Sequence, residues 1–134
     1  GEFCLKGIMS KEDARRAIEI GCTGIVISNH GGRQLDGSRS SFDQLREIMD
    51  EVGDEIDVLF DSGVQRGTHV LKALSLGAKA VGIGRMYLYP LAAAGQPGVE
   101  RALGLMHAEL ERGMKLMGKT AISQLSYQNL RFRD

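Results

Sequence analysis

Several kinds of protein are excluded by what this sequence lacks. Acidic and basic residues balance at 17 each, leaving no net charge, so nothing spread along the chain favours a nucleic-acid groove or an anionic membrane surface. No apolar run approaches the ~20 residues needed to cross a bilayer, and the opening residues show no secretory leader pattern. A soluble protein with no nucleic-acid partner is therefore expected. Cysteines are few: Cys4 and Cys22 have neither CxxC spacing nor an accompanying histidine cluster. Both stand in or beside apolar runs, which suits buried, reduced thiols in a cytoplasmic compartment better than a disulfide or a metal pair. No metal site is expected. Neither GxGxxG nor a GxxxxGK loop occurs, so a Rossmann dinucleotide site and a P-loop are both unsupported.

What is present is a repeated alternation. Apolar runs end near Lys6, Ser28, Asp61 and Gly84, and a helix-like segment follows each. The order is βαβαβαβα. The first helix is predicted from Ser10, with Glu12 and Asp13 in its first turn, to a stop at Gly21. The second is expected over about 41–52, and the third from Arg66 or Gly67 to Leu76, stopping at Gly77. A short fourth helix near Tyr87 precedes a long one over about 99–117, whose Leu103, Met106, Leu110, Met114 and Met117 form one apolar stripe. Displacing the sequence by 56 positions matches Gly7 to Gly63, Ala17 to Ala73, Gly21 to Gly77 and Ile27 to Ile83. Such a repeat of two βα units implies strands in equivalent places. Four units amount to half of an eightfold barrel.

Gly1-Glu2-Phe3 begins without methionine and leads straight into a strand-like run. It reads as an expression remnant on a chain cut from something longer, with residues 1–134 forming a single half-barrel. The runs Ile25-Val26-Ile27 and Val58-Leu59-Phe60 are apolar on both faces. Half a barrel has no opposite wall to cover them, so a partner is expected: the missing amino-terminal half or a second copy of the chain, making a homo-oligomer.

Parallel strands place their carboxyl ends on one rim. There the sequence offers Lys6; Ser28, His30 and Arg33; Asp61, Ser62, Gly63, Val64, Gln65 and Arg66; and Gly84 with Arg85. An imidazole can take a proton near neutral pH, and a guanidinium three residues on can hold a carboxylate through two parallel hydrogen bonds. Proton abstraction from a small carboxylic acid follows as the candidate chemistry. Gly63 and Gly84 precede helices and stand beside Arg66 and Arg85, which suits an anion such as phosphate. His69 and His107 lack metal-ligand spacing and read as structural, and Tyr87 and Tyr89 as packing residues.

The motifs LKG at 5–7, SNHGGRQLD at 28–36, DSGVQRG at 61–67, LKALSLGA at 71–78 and the pair Gly84-Arg85 follow one another in order. On these the chain resembles the carboxy-terminal half of the FMN-dependent α-hydroxy-acid oxidases and dehydrogenases, a family that includes glycolate oxidase, lactate dehydrogenase and mandelate dehydrogenase. The resemblance implies half of a TIM barrel, FMN as cofactor and oxidation of an L-2-hydroxy acid to the 2-oxo acid. It implies that His30 is the catalytic base and also meets the substrate, that Arg33 clamps the substrate carboxylate, and that Lys6 and Ser28 contact the flavin. The segment Asp61 to Gln65, with Arg66, Gly84 and Arg85, would cradle the ribityl phosphate. Gln65 departs from the family pattern, which has an arginine there, so the charge must come from Arg66 and Arg85. The family's first four strands are absent, which implies an inactive chain by itself. The alternative is a non-catalytic, self-associating half-barrel that binds phosphate or flavin weakly. Membrane association of the longer parent is not legible.

Overall fold

A computed structural model describes residues 1–132. Its strands and helices alternate: β1 (Cys4–Ile8), α1 (Lys11–Glu19), β2 (Gly24–Ile27), α2 (Ser41–Val52), β3 (Asp57–Phe60), α3 (Gly67–Ser75), β4 (Ala80–Val81) and α4 (Arg85–Leu116). All four strands are parallel and lie in chain order, β1-β2-β3-β4. These are four βα units of an eightfold barrel. Every strand therefore delivers its carboxyl end to the same rim.

Local chemistry accounts for most boundaries. The Ser10 hydroxyl accepts the Asp13 N–H at 3.1 Å and starts α1, with two acidic residues in the first turn. Ser40 does the same for α2 through the Phe42 N–H. Gly21 and Gly77, equivalent in the repeat, lie beyond α1 and α3 with φ of +86° and +101°. Only glycine takes such angles without strain.

Strand residues alternate between two faces. Ile25, Ile27, Val58 and Phe60 are buried and join Ala14, Ala17, Leu45, Ile48 and Ala73 from the helices in one core. The other row, in register across the sheet, is Lys6, Val26, Leu59 and Ala80. Lys6 and Ala80 are exposed, and Val26 and Leu59 are half-buried. This face is left partly open, as expected for a sheet whose barrel is incomplete.

The last helices differ from the sequence expectation. The short and long helices are the two arms of α4, separated by a break where Ala94 and Gly95 leave helical geometry, with Pro90 and Pro97 on either side. The apolar stripe holds in part, with Met106, Leu110 and Met114 half-buried. Leu103 and Met117 are exposed, while Ala102 is buried and Met106 packs on the core. Contact is set by glycine: Gly67, at the start of α3, approaches the α4 backbone so closely that a Cβ there would lie 2.7 Å from the Met106 carbonyl. Close backbone packing, more than side-chain interdigitation, locates the second arm.

Candidate active site

Ser28, just past β2, is almost wholly buried, at 1% exposure. Its hydroxyl oxygen accepts the Lys6 ammonium from β1 at 2.9 Å and the His30 backbone N–H at 3.1 Å. One side chain thus ties two strand ends to the loop that carries the histidine. Asn29 fixes the other side: its N–H donates to Ser41 at the start of α2, and its side-chain oxygen accepts the Gly31 N–H. Between these anchors His30 is held at φ +56°. A non-glycine residue in the left-handed region costs free energy unless its surroundings determine it, and such residues gather at functional sites.

The imidazole lies over Gly7. A Cβ at Gly7 would be 2.8 Å from His30 Nε2, and Gly7 itself has φ +99°. The β1–β2 register also shifts between Lys6 and Ile8. This irregularity, just past the lysine, makes room for the ring. Arg33 follows on the same loop, exposed, with no ion-pair partner among the described residues.

From β3, the Asp61 carboxylate meets the Lys6 ammonium and accepts the Ser62 hydroxyl at 2.9 Å. Burial pushes the Asp61 carboxyl up, but the Lys6 ammonium and the Ser28 and Ser62 hydroxyls outweigh it and hold the pKa below the ordinary aspartate value. Asp61 is therefore ionised at neutral pH. Ser62, at φ +81°, also accepts the Gly31 N–H at 3.2 Å. From the start of α4, the Arg85 guanidinium donates to the Gly31 carbonyl at 2.8 Å. All four strand ends are joined through this loop.

These groups surround an open cavity of about 740 Å³, within the size range of small-molecule and cofactor sites. Lys6, His30, Arg33, Asp61, Ser62, Gly63, Val64, Gln65, Gly84 and Arg85 line it. Two residues expected at the site lie elsewhere. Ser28 is beneath the wall and acts through Lys6 and the His30 backbone. Arg66 is outside the lining, held by Glu109 of α4 through Nε at 2.8 Å, while Glu109 also accepts the Gly67 N–H. The Arg66 guanidinium and that N–H keep the Glu109 carboxyl below its usual range. Of these two arginines, only Arg85 lines the cavity. Tyr87 and Tyr89, expected as packing residues, instead line the cavity from the first turns of α4. Their place directly after the strand-end pair Gly84-Arg85 was the available signal.

Charged lining residues are Lys6, Arg33 and Arg85 against Asp61, so the cavity is cationic. Fold and rim together define a βα-barrel segment with an anion-directed site. The profile of the FMN-dependent dehydrogenase family matches residues 1–132, and the chain belongs to that family. It is 48% identical over 131 residues to an FMN-dependent alpha-hydroxy acid dehydrogenase of Penicillium citrinum, covering 98% of this chain and 33% of that protein. Against L-lactate dehydrogenase (cytochrome) of Saccharomyces cerevisiae the identity is 48% over 126 residues, covering 90% of this chain and 21% of the yeast protein. Among solved structures, mandelate oxidase with benzoyl-formic acid superposes with a TM-score of 0.86 at 48% identity, over 91% of this chain and 36% of that one. A flavocytochrome b2 variant with sulfite bound gives 0.89 at 46% identity, over 93% and 33%. The chain spans about a third or less of the length of the curated relatives it matches. No helix among the described residues is long and apolar enough to cross a membrane.

Proposed function

We propose that this chain supplies the proton-accepting and phosphate-side part of an enzyme that oxidises an L-2-hydroxy acid, of the lactate, glycolate or mandelate type, to the 2-oxo acid. One observation carries the reading: His30 and Arg33 rise from a single braced loop into the same cationic cavity as Lys6, Gly63, Gly84 and Arg85.

The cavity suits FMN in size and charge. Lys6 would meet the polar edge of the ring, and Ser62 to Gln65 with Gly84 and Arg85 would hold the ribityl phosphate, with neutral Gln65 contributing an amide and Arg85 the charge. Bound there, the flavin supplies an acceptor for the two electrons that leave the α-carbon as the alcohol becomes an oxo group. Arg33 orients the substrate through its carboxylate. His30 takes the proton that leaves the hydroxyl or the α-carbon, and its strained backbone keeps the ring over Gly7 and aimed into the cavity. Asp61, paired with Lys6, fixes the ammonium in place rather than titrating itself.

The 134 residues alone bear half a wall, so turnover requires the strands that complete the barrel. Without them, the half-open row of Val26 and Leu59 favours a self-associating chain that binds flavin weakly. Of the two thiols expected to be buried, Cys22 is buried but Cys4, at the start of β1, is exposed; neither is paired, which fits a reducing, cytoplasmic setting. The test uses the complete protein carrying this chain. His30→Gln should retain flavin absorbance while turnover of the 2-hydroxy acid falls by about 10²–10⁴-fold. Undiminished turnover would remove His30 from the proton-accepting role.

A further inference from the structure

A second, smaller cavity of about 250 Å³ lies behind the β3–α3 segment, between that segment and the start of α2. Phe42, Phe60 and Val64 form its apolar walls, and His69 and Lys72 stand on the α3 side. The two rings meet edge to face, with centroids 6.1 Å apart at 80°, so the apolar wall is rigid. His69 and Lys72 are three residues apart on one helix, which makes them surface neighbours. The Gln65 N–H donates to His69 Nδ1 at 3.3 Å. Nε2 is therefore the ring nitrogen that carries the proton and donates. The Lys72 ammonium has no ion-pair or hydrogen-bond partner among the described residues, although six of the ion pairs that do form involve other lysines or arginines on the helices and their caps. Among the described residues, no acidic side chain lines this cavity.

We infer that this cavity is a binding site for a small carboxylate with an aromatic or branched apolar body, separate from the catalytic rim. Its donors are two and adjacent, which matches the two oxygens of one carboxylate, and the opposite wall is hydrocarbon. A bare inorganic anion would leave the phenyl wall unused. A neutral hydrocarbon would leave the ammonium and imidazole unused. The site shares Ser62, Gly63 and Val64 with the large cavity, so a ligand there braces the segment proposed above to hold the cofactor phosphate.

Saturation-transfer NMR with benzoate on the complete protein tests the assignment. The background is Arg33→Met, which removes the carboxylate clamp of the large cavity. Saturable benzoate binding should persist in that background and weaken about tenfold or more when Lys72→Met is added, as expected for loss of one charge-assisted hydrogen bond. Lys72 is exposed, so this change leaves the fold in place, which circular dichroism and flavin absorbance verify. Phe42→Leu should weaken benzoate while leaving acetate binding unchanged. The inference is overturned if Arg33→Met alone abolishes saturable binding, if Lys72→Met leaves affinity unchanged, or if inorganic phosphate displaces benzoate at equal concentration. These outcomes do not depend on turnover, and a failed His30 test would leave them intact.

Discussion

Replacing Gly7 by alanine isolates the contact that positions the His30 ring. Two separate penalties arise. Gly7 has φ +99°, and forcing a residue with a Cβ into left-handed space costs about 1–2 kcal/mol. The new methyl would also lie 2.8 Å from His30 Nε2. An optimal contact is roughly 3.5 Å, so the imidazole must retreat by about 0.7 Å. A misplacement near 1 Å can cost about 10²-fold in rate, so Gly7→Ala should lower kcat by ten- to a hundredfold while flavin binding is retained. The assay is steady-state oxidation of the 2-hydroxy acid by the complete protein, together with chemical denaturation. A His30→Ala background separates the two penalties, because it removes the overlap and keeps the backbone strain. Gly7→Ala should cost about 0.5–1 kcal/mol less in that background than in the parent. Equal costs in both backgrounds, with kcat within about twofold of the parent, would refute the claim that Gly7 makes room for the ring.

Arg33→Lys keeps the charge but loses the two-pronged geometry, so KM for the 2-hydroxy acid should rise about tenfold or more with flavin affinity unchanged; an unaltered KM would mean the carboxylate is held elsewhere. Asp61→Asn tests the paired carboxylate through acid titration of stability. Its folded pKa lies below the ordinary value, so its contribution is complete above about pH 4 and is lost as pH falls through the folded pKa. The denaturation midpoint of the parent should therefore drop more steeply below that pH than the midpoint of Asp61→Asn, and parallel acid profiles would exclude the pairing with Lys6. In sedimentation, the 134-residue chain alone should self-associate through the open sheet face; a stable monomer at high concentration would show that Val26 and Leu59 need no cover.

Short-range chemistry was legible in the sequence. The bounds of α2, the serine cap of α1, the glycine stops at Gly21 and Gly77 and the parallel βα order all depend on residues within a few positions of one another. The rim was legible for the same reason, since a strand run followed by glycine names its own carboxyl end. Lys6, His30, Arg33 and Arg85 needed no long-range knowledge to be placed there. The repeat likewise identified four barrel units.

Partnerships across the crossovers were decided only by the tertiary structure. Lys6 and Asp61 are 55 residues apart, and Arg66 and Glu109 are 43 apart. Sequence spacing cannot show that a cation expected at the phosphate is held by a carboxylate two elements later. The stripe on α4 held at Met106, Leu110 and Met114 but not at Leu103 and Met117, because helical periodicity defines a face without saying how close the neighbouring backbone comes. Gly67 settled that distance and brought Ala102 into the contact beside Met106. Tyr87 and Tyr89 reached the cavity because the chain turns there from β4 into α4, and their residue types alone pointed to packing. Composition and local pattern thus chose the elements and the rim, whereas the charges that remain free to meet a ligand follow from which side chains the folded sheet brings together.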